Sequence, residues 1–312
     1  MKTMCGIVGL FLKDKSLEPK LGKMLTAMLI TMTDRGPDSA GIAIYGAETN
    51  GRTKVNVQSD NPDTSFIGLD AALTSALDGA VHMLVKNTHV VLDIPAGTTA
   101  LARAAINSLD RGIRIMSSGD SLEIFKEVGL PKDVAARFEI EKMGGTHGIG
   151  HTRMATESAV TTMGAHPFNT GKDQCLVHNG SLSNHNSLRR RLRREGILIE
   201  TENDTEVAAA YLTWQMLKGA TLGEALTSSL DDLDGFFTFV VGTKDGFGVV
   251  RDPIACKPAV MAETDQYVAF GSEYRALVDL PDIENARIWE PEPATVYFWS
   301  HNAAPSSTEK AT

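Results

Sequence analysis

Two apolar runs joined by a short turn constrain the fold of this chain more than any other feature. The runs occupy residues 236–241 and 247–250, and residues 243–246 between them read Thr-Lys-Asp-Gly. Apolar segments of this length on either side of an Asp-Gly turn are typical of a β-hairpin. Because a hairpin pairs its strands antiparallel, the pattern favours layers of helix and antiparallel sheet over a doubly wound parallel sheet.

The other elements of the main domain follow from periodicity. Strands are predicted at 5–12, 41–45, 176–177, 258–262, 266–271 and 294–299, and helices at 17–33, 186–195 and 204–218. Asn203 is predicted to cap the last helix, with Glu206 as its reciprocal capping partner. Five arginines between 189 and 194 are interpreted as a solvated helix face, and docking to an acidic partner is the alternative.

Residues 51–140 are predicted to form a small α/β lobe inserted into the main domain, because strand-like and helix-like segments alternate there. Its strands are expected around 55–57, 81–92 and 113–116, and its helices at 66–78, 98–109, 120–127 and 131–139. We find no catalytic motif in this segment. The main domain then spans 5–300, with a leader at 1–4 and a flexible tail at 303–312.

Composition excludes several classes of function. The net charge of −9 argues against a nucleic-acid partner, which requires a basic face. The three cysteines, Cys5, Cys175 and Cys256, do not form a disulfide framework, and this indicates a reducing, cytoplasmic location. Cys175 and Cys256 are expected to be buried core thiols. No apolar run has the length of a membrane span, and no ligand spacing is typical of a zinc site.

Cys5 opens the segment Cys-Gly-Ile-Val-Gly at 5–9 and would have unusual chemistry as the first residue of the chain. A thiolate is a strong nucleophile, and a free α-amino group has a pKa of about 7.7–8.0, close to working pH. A terminal cysteine therefore carries both a nucleophile and a general base. Taken alone, Cys5 is better explained as a small buried side chain on a strand.

Three further segments are weighed together with Cys5. Arg153 ends Gly-His-Thr-Arg at 150–153, and a guanidinium can capture a carboxylate through two hydrogen bonds. His-Asn-Gly at 178–180 offers an amide and a backbone N–H for an oxyanion hole. Arg-Gly-Pro-Asp-Ser-Ala-Gly at 35–41 is rich in turn formers. Each also has an ordinary explanation, as a surface arginine, an Asn-Gly turn and a polar loop.

Taken in this order, the segments resemble the glutaminase domain of class II glutamine amidotransferases, which are N-terminal-nucleophile enzymes. Asn-Asp-Thr-Glu at 203–206 extends the match, and Arg-Asp-Pro at 251–253 resembles a late segment of the amidophosphoribosyltransferase members. The resemblance covers about 5–46 and 147–280. It implies an α+β fold with four layers in the order αββα, in which two mainly antiparallel sheets face each other.

The resemblance assigns catalytic roles to four residues. Cys5 would attack the side-chain amide carbon of glutamine, and its freed α-amine would shuttle the proton to the leaving ammonia. Asn179 and the Gly180 N–H would stabilise the tetrahedral oxyanion. Arg35 would fix the strand that carries the nucleophile.

Four other residues would form the glutamine pocket by the same resemblance. Arg153 would pair with the α-carboxylate of glutamine and Asp204 with its α-ammonium. Thr156 and His166 would line the pocket. Met154 departs from the pattern, because some members of the family have an aromatic residue there.

The resemblance also bears on processing and partners. A peptide-bonded nitrogen has no basicity, so residues 1–4 are expected to be removed before Cys5 can act. The chain is similar to the separate amidotransferase subunit of glutamate-synthase-like complexes such as N-methylglutamate synthase. It would then deliver ammonia to synthase subunits of a hetero-oligomer. No metal or cofactor is expected in this chain, and the partner subunits could carry flavin and iron–sulfur groups.

Two other functions stay open at this point. If residues 1–4 are retained, the chain would be a structural or regulatory subunit that keeps the fold without cleaving glutamine. A different N-terminal-nucleophile amide hydrolase is the third option. The presence of both Arg153 and Asp204 favours an amino-acid substrate over that option.

Overall fold

The computed structural model describes residues 5–154 and 159–302. The predicted leader at 1–4, the predicted tail at 303–312 and Thr156 lie outside the described residues. The α-helices within them are α1 (Leu21–Ile30), α2 (Pro62–Ser65), α3 (Leu69–Leu77), α4 (Thr99–Ser108), α5 (Pro131–Arg137), α6 (His185–Arg194), α7 (Asp204–Leu217) and α8 (Leu222–Asp232).

The strands of the described residues form three sheets. The first has seven strands in the spatial order β15 (Arg287–Trp289), β13 (Val260–Glu263), β14 (Tyr267–Gly271), β1 (Gly6–Leu12), β8 (His147–Arg153), β2 (Ser39–Tyr45) and β7 (Leu122–Val128). The second has five, β16 (Thr295–Ser300), β12 (Gly246–Arg251), β11 (Gly235–Thr243), β10 (Gln174–Leu182) and β9 (Phe168–Gly171). The third has four, β4 (His82–Lys86), β5 (His89–Pro95), β3 (Arg52–Gln58) and β6 (Arg114–Gly119).

The first two sheets pack face to face, and helices cover their outer faces. Strand β1 shows how the sequence produces this arrangement, because it is apolar and buried along its whole length. Ile7 and Phe11 point into the core between the two sheets, whereas Val8 and Leu10 point toward α1 and α5. A strand with both faces buried reads as a continuous apolar run. Helices α6, α7 and α8 cover the five-stranded sheet, so the predicted αββα order is confirmed.

The four-stranded sheet and helices α3 and α4 have a core of their own, centred on side chains such as Val55, Leu73 and Leu92. This lobe occupies 52–119, which is shorter than the expected 51–140. Beyond it, the predicted helix at 120–127 is the strand β7. Its side chains alternate between Ile124 in the core between the sheets and Phe125 on the helical side, so burial on two faces selects a strand.

Other expectations about the elements need correction. The predicted strand at 81–92 is the hairpin β4–β5, which turns at Asn87 with a positive φ of 54°. Asn203 caps α7 as predicted, accepting a hydrogen bond from the Thr205 N–H at 2.8 Å. Glu206 does not complete a capping box, because its carboxylate accepts hydrogen bonds from the N–H groups of Glu200 and Thr201. Within the described residues, no helix has the length and apolar character needed to cross a membrane.

Asp173 joins the exit of the lobe to the five-stranded sheet. It lies in the turn between β9 and β10, where its side chain is buried. Its Oδ1 accepts hydrogen bonds from the N–H groups of Ser121 at 2.9 Å and Leu122 at 3.0 Å, and its Oδ2 accepts one from Asp120 N–H at 2.8 Å. A single carboxylate therefore satisfies three backbone donors at the point where the chain leaves the lobe.

Replacing Asp173 is predicted to destabilise the protein strongly. Asp173→Ala leaves the three backbone donors without their acceptor, and we expect it to lower the free energy of unfolding by about 3 kcal/mol or more. Urea denaturation measures this change. Asp231 is an exposed aspartate on α8, and Asp231→Ala should change stability by less than about 0.5 kcal/mol. Equal losses in the two variants would contradict the role given to Asp173.

Candidate active site

The register of the seven-stranded sheet brings Cys5 beside Arg153. Gly6 on β1 lies opposite Thr152 on β8, so the next residues outward, Cys5 and Arg153, are level with each other. Thr152 also lies against the loop at 36, where a Cβ on Gly36 would come within 2.5 Å of the Thr152 carbonyl carbon. Glycine is required at 36 because no side chain fits at this distance.

Two side chains from different parts of the fold converge on the carbonyl oxygen of Cys5. Arg35 donates to it from Nε at 3.0 Å, and Asn179 donates to it from Nδ2 at 3.2 Å. Arg35 is held in turn by Glu273, whose Oε1 lies 2.6 Å from Arg35 Nη1. Arg35 lies in the turn that leads from α1 to β2, and Asn179 lies on β10 of the facing sheet. The Cys5 carbonyl therefore links the two sides of the fold beside the thiol.

Asp204 lies at the start of α7 and faces the same region. Its Oδ2 accepts a hydrogen bond from Leu182 N–H at 3.0 Å, and its Oδ1 lies 3.8 Å from Nδ1 of His178. Arg189 supports the loop before the helix through an ion pair with Glu202 at 2.8 Å. Arg189 is buried, which corrects the prediction that the arginine run is solvated throughout. The carboxylate of Asp204 keeps lone pairs for a further donor.

Cys5, Asn179 and Asp204 line a cleft of about 910 Å³. The cleft contains six of the residues predicted for the site, namely Cys5, Arg153, His166, Asn179, Gly180 and Asp204. Arg35 lies behind the thiol and contacts the cleft through the Cys5 carbonyl. Gly180 has a φ of 155°, and a Cβ there would come within 2.0 Å of the Phe236 carbonyl oxygen. The backbone at this position therefore excludes any other residue.

The electrostatics of the cleft act on Cys5 in opposing directions. Burial raises the pKa of its thiol above the ordinary value, and a hydrogen bond with the Met154 backbone and the charges of Arg153 and Lys257 lower it by less. The net direction is upward. The thiol as it stands in this chain is therefore not activated by its surroundings alone.

Two buried histidines beside the cleft, His151 and His166, are neutral. Burial lowers the pKa of His151 to about 3, and burial is also the main cause that lowers the pKa of His166 far below its usual value. The rings of His151 and His166 lie against each other with centroids 4.0 Å apart. Two adjacent imidazolium ions would repel each other in this buried position, so both rings contribute shape without charge, and His151 Nε2 lies 3.1 Å from the His178 carbonyl oxygen.

Lys257 lines the cleft and was not among the predicted residues. Arg251 fixes the loop that carries it, donating to the carbonyl oxygens of Ala255 at 2.8 Å and Lys257 at 2.9 Å. The ammonium lies 5.0 Å from the centre of the Phe236 ring. The motif at 251–253 pointed to this loop but not to the lysine beyond it. Cys256 in the same loop is exposed, so the prediction of a buried thiol there is wrong.

Comparison with known proteins supports one family. Residues 151–279 match a family model described as a glutamine amidotransferase domain. The glutamine amidotransferase-like protein GlxB of Rhizobium meliloti (strain 1021) is 71% identical over 96% of this chain and 100% of its own length. This chain belongs to the class II glutamine amidotransferases.

A putative glutamine amidotransferase of Methanothermobacter thermautotrophicus is 33% identical over 94% of this chain and 99% of its own length, whereas other relatives share only part of their length with this amidotransferase. The amidophosphoribosyltransferase of Methanocaldococcus jannaschii is 30% identical over 56% of this chain and 38% of its own length. In the solved structures, the glutamine phosphoribosylpyrophosphate amidotransferase of B. subtilis aligns with a TM-score of 0.61 and 20% identity. That alignment covers 95% of this chain and 47% of the solved chain, and it supports the fold.

Removing the charge of Lys257 is predicted to reduce the reactivity of Cys5 in the amidotransferase. Because this cation lowers the pKa of the thiol, Lys257→Met should raise that pKa and leave less thiolate at a given pH. We expect alkylation by iodoacetamide at pH 8 to slow by about threefold, with the difference disappearing well above the pKa. The rate is measured by mass spectrometry in a Cys256→Ser background, which removes the exposed thiol.

The control for this measurement is Lys23→Met, because Lys23 is exposed and lies on α1 at the outer helical layer. Its alkylation profile should match that of the parent. Identical profiles for Lys257→Met and the parent from pH 7 to pH 10 would show that the lysine has no electrostatic influence on Cys5.

Proposed function

We propose that this chain hydrolyses glutamine to glutamate and ammonia, with Cys5 as the nucleophile. The observation that carries the proposal is the convergence of Arg35 and Asn179 on the Cys5 carbonyl, within a cleft that also holds Arg153 and Asp204. This places a thiol, an amide donor, a guanidinium and a carboxylate around one space. Glutamine has complementary groups, namely an amide carbonyl, an α-carboxylate and an α-ammonium.

In the proposed reaction, the Cys5 thiolate attacks the amide carbon and forms a tetrahedral intermediate. Asn179 has two protons on Nδ2, and only one is directed at the Cys5 carbonyl, so the second is available for the oxyanion. The Gly180 N–H is the second proposed donor. Collapse of the intermediate expels ammonia and leaves a thioester, which water hydrolyses to glutamate and the free thiol.

The proposed mechanism requires a free α-amine on Cys5. The raised pKa of the thiol means that few molecules carry a thiolate near pH 7 without a base. An α-amino group with a pKa of about 7.7–8.0 can take the thiol proton and return it to the leaving ammonia. Since Met4 precedes Cys5 in the sequence, residues 1–4 must be removed for the amine to exist.

The substrate groups are proposed to bind in a fixed orientation. Arg153 receives the α-carboxylate through a bidentate ion pair, and Asp204 receives the α-ammonium. His166 forms the adjacent wall as a neutral ring. Thr156 remains a proposed pocket residue on the basis of its motif. Pairing both charges of the amino acid leaves the side-chain amide to extend toward Cys5.

We further propose that a synthase subunit consumes the ammonia within a cytoplasmic hetero-oligomer similar to glutamate synthase or N-methylglutamate synthase. The support is the family resemblance together with the three unpaired cysteines, Cys5, Cys175 and Cys256, which suit a reducing compartment. Purification of the complex from its source, with identification of the accompanying chains and any flavin absorbance, tests this part. Recovery of the chain alone, active on glutamine, would argue against a stable partner.

Substitution of the nucleophile tests the hydrolysis directly. Cys5→Ala should abolish glutamate release from glutamine, and Asn179→Ala should reduce kcat by about 10²–10³-fold through loss of an oxyanion donor. Both are measured on protein whose first residue is verified by intact mass. Cys256→Ser, at an exposed thiol, should retain full activity. Activity in a chain that retains residues 1–4 would overturn the proposed base, and an inert chain that retains them would favour a structural or regulatory subunit.

Substrate binding has a separate test. Arg153→Met should weaken glutamine binding by about 1.5–3 kcal/mol, roughly ten- to hundredfold, because a charged hydrogen-bonded pair is lost. Calorimetric titration in a Cys5→Ala background measures Kd without turnover. Arg190 is exposed on α6, and Arg190→Met should bind glutamine like the parent. Unchanged affinity in Arg153→Met would remove this residue from the substrate site.

A further inference from the structure

Two adjacent charged residues on β7, Lys126 and Glu127, are buried at the edge of the seven-stranded sheet. Neither touches the cleft, and neither belongs to a motif of the family described above. Both side chains reach the segment 162–168, which runs along one wall of the cleft. Residues Met163, Gly164 and His166 of that segment line the cleft.

Lys126 holds this segment by its backbone. Its ammonium donates to the carbonyl oxygens of Ala165 at 2.8 Å, Pro167 at 3.2 Å and Met163 at 3.4 Å. It also lies 4.5 Å from the centre of the Phe168 ring. Three protons therefore meet three alternate carbonyl groups of one loop, which fixes the position of that loop relative to β7.

Glu127 holds the start of the same segment. Its Oε1 accepts a hydrogen bond from the Thr162 hydroxyl. Its Oε2 accepts one from the Thr88 hydroxyl at 3.0 Å and lies 3.7 Å from Nη1 of Arg137. One carboxylate thus binds two threonine hydroxyls, of which only Thr162 belongs to the wall of the cleft. Thr88 belongs to the inserted lobe, in the turn between β4 and β5.

The wall held by these two residues lies against the guanidinium of Arg153. A Cβ built on Gly164 would come within 3.1 Å of Arg153 Nη1, so the loop approaches the guanidinium closely. Arg153 Nη1 also donates to the Ala159 carbonyl at 3.4 Å, on the approach to the same segment. A displacement of the loop would therefore change the space around the group proposed to bind the α-carboxylate.

We propose that Lys126 and Glu127 are positioning residues that fix the 162–168 wall of the cleft and, through it, the geometry around Arg153. The inference rests on the proposed function, since it concerns affinity for glutamine. Burial of an ammonium is costly unless its protons are bound, and here the bound acceptors are backbone groups of the wall itself. The position of the wall is thereby coupled to strand β7.

The sharpest test compares two threonine variants that remove a hydroxyl from the same carboxylate. Thr162→Val releases the wall from Glu127, whereas Thr88→Val releases the lobe and leaves the wall in place. In the Cys5→Ala background, Thr162→Val should weaken glutamine binding by about fivefold, and Thr88→Val should bind like the parent. In the processed, active chain, Thr162→Val should raise KM with little change in kcat, because the chemistry at Cys5 is untouched.

Lys126→Met extends the test to the other anchor, with an expected loss of affinity of about tenfold or more. Lys126→Arg should recover part of this loss if the variant retains a cation that reaches the carbonyl groups. Thermal unfolding separates positioning from stability. Thr162→Val loses a hydrogen bond to Glu127, whereas Thr88→Val loses one to Glu127 and one with His89 Nδ1, so Thr88→Val should lower Tm at least as much. A Thr162→Val chain with parental Kd and KM overturns the inference even if Lys126→Met does not fold.

The same titrations distinguish failure of this inference from failure of the proposed function. If the Cys5→Ala parent binds glutamine and Arg153→Met does not, the substrate site stands, and the Thr162 result alone decides the role of β7. If the parent does not bind glutamine at all, the proposed function and the inference that depends on it both fall.

Discussion

The pairing of β1 with β8 is the constraint on which the whole site depends. Strand β1 lies in the interior of the seven-stranded sheet, bonded to β14 on one side and β8 on the other. A shift of one residue in this register would turn Ile7 and Phe11 out of the core between the sheets and put Val8 and Leu10 in their place. Burial on both faces therefore fixes the register, and the register fixes where Cys5 leaves the sheet.

The facing sheet completes the site because the two sheets approach closely. A Cβ on Gly9 of β1 would come within 2.8 Å of the Phe247 ring on β12, so the absence of a side chain at Gly9 permits this contact. Close packing brings Asn179 on β10 to within 3.2 Å of the Cys5 carbonyl. The proposed oxyanion donor and the proposed nucleophile thus come from different sheets, and the core between the sheets sets their separation.

Much of this arrangement could be predicted from the sequence, because the motifs are local. Cys5, Arg153, Asn179 and Asp204 each lie in a short segment with a recognisable pattern, and the structure brings all four to one cleft. Strand β7 could not be predicted in the same way. Its charged residues suggest an exposed face, although the strand is buried on both faces. Its assignment depends on pairing with β2, a contact between segments far apart in the sequence.

The supporting residues were missed for a related physical reason. Lys257 enters the cleft because Arg251 binds the carbonyl groups of its loop, and Lys126 acts on a loop almost forty positions away. No local pattern marks such contacts, because any lysine on a strand edge or in a loop is ordinarily solvated. Long-range hydrogen bonds to backbone carbonyls decide their roles, and these become visible only when the tertiary fold is known.

The charge distribution of the cleft is consistent with the proposed zwitterionic substrate. Arg153 and Lys257 supply positive charge, Asp204 supplies negative charge at the start of α7, and all line one cleft. His151 and His166 stay neutral, because burial lowers the pKa of each, so they add no competing cation beside Arg153. A free amino acid has an ammonium and a carboxylate group attached to the same carbon. A cleft with a cation at one position and an anion at another can pair with both groups and hold the amino acid in a single orientation. That orientation leaves the side chain of the substrate as the part directed at Cys5.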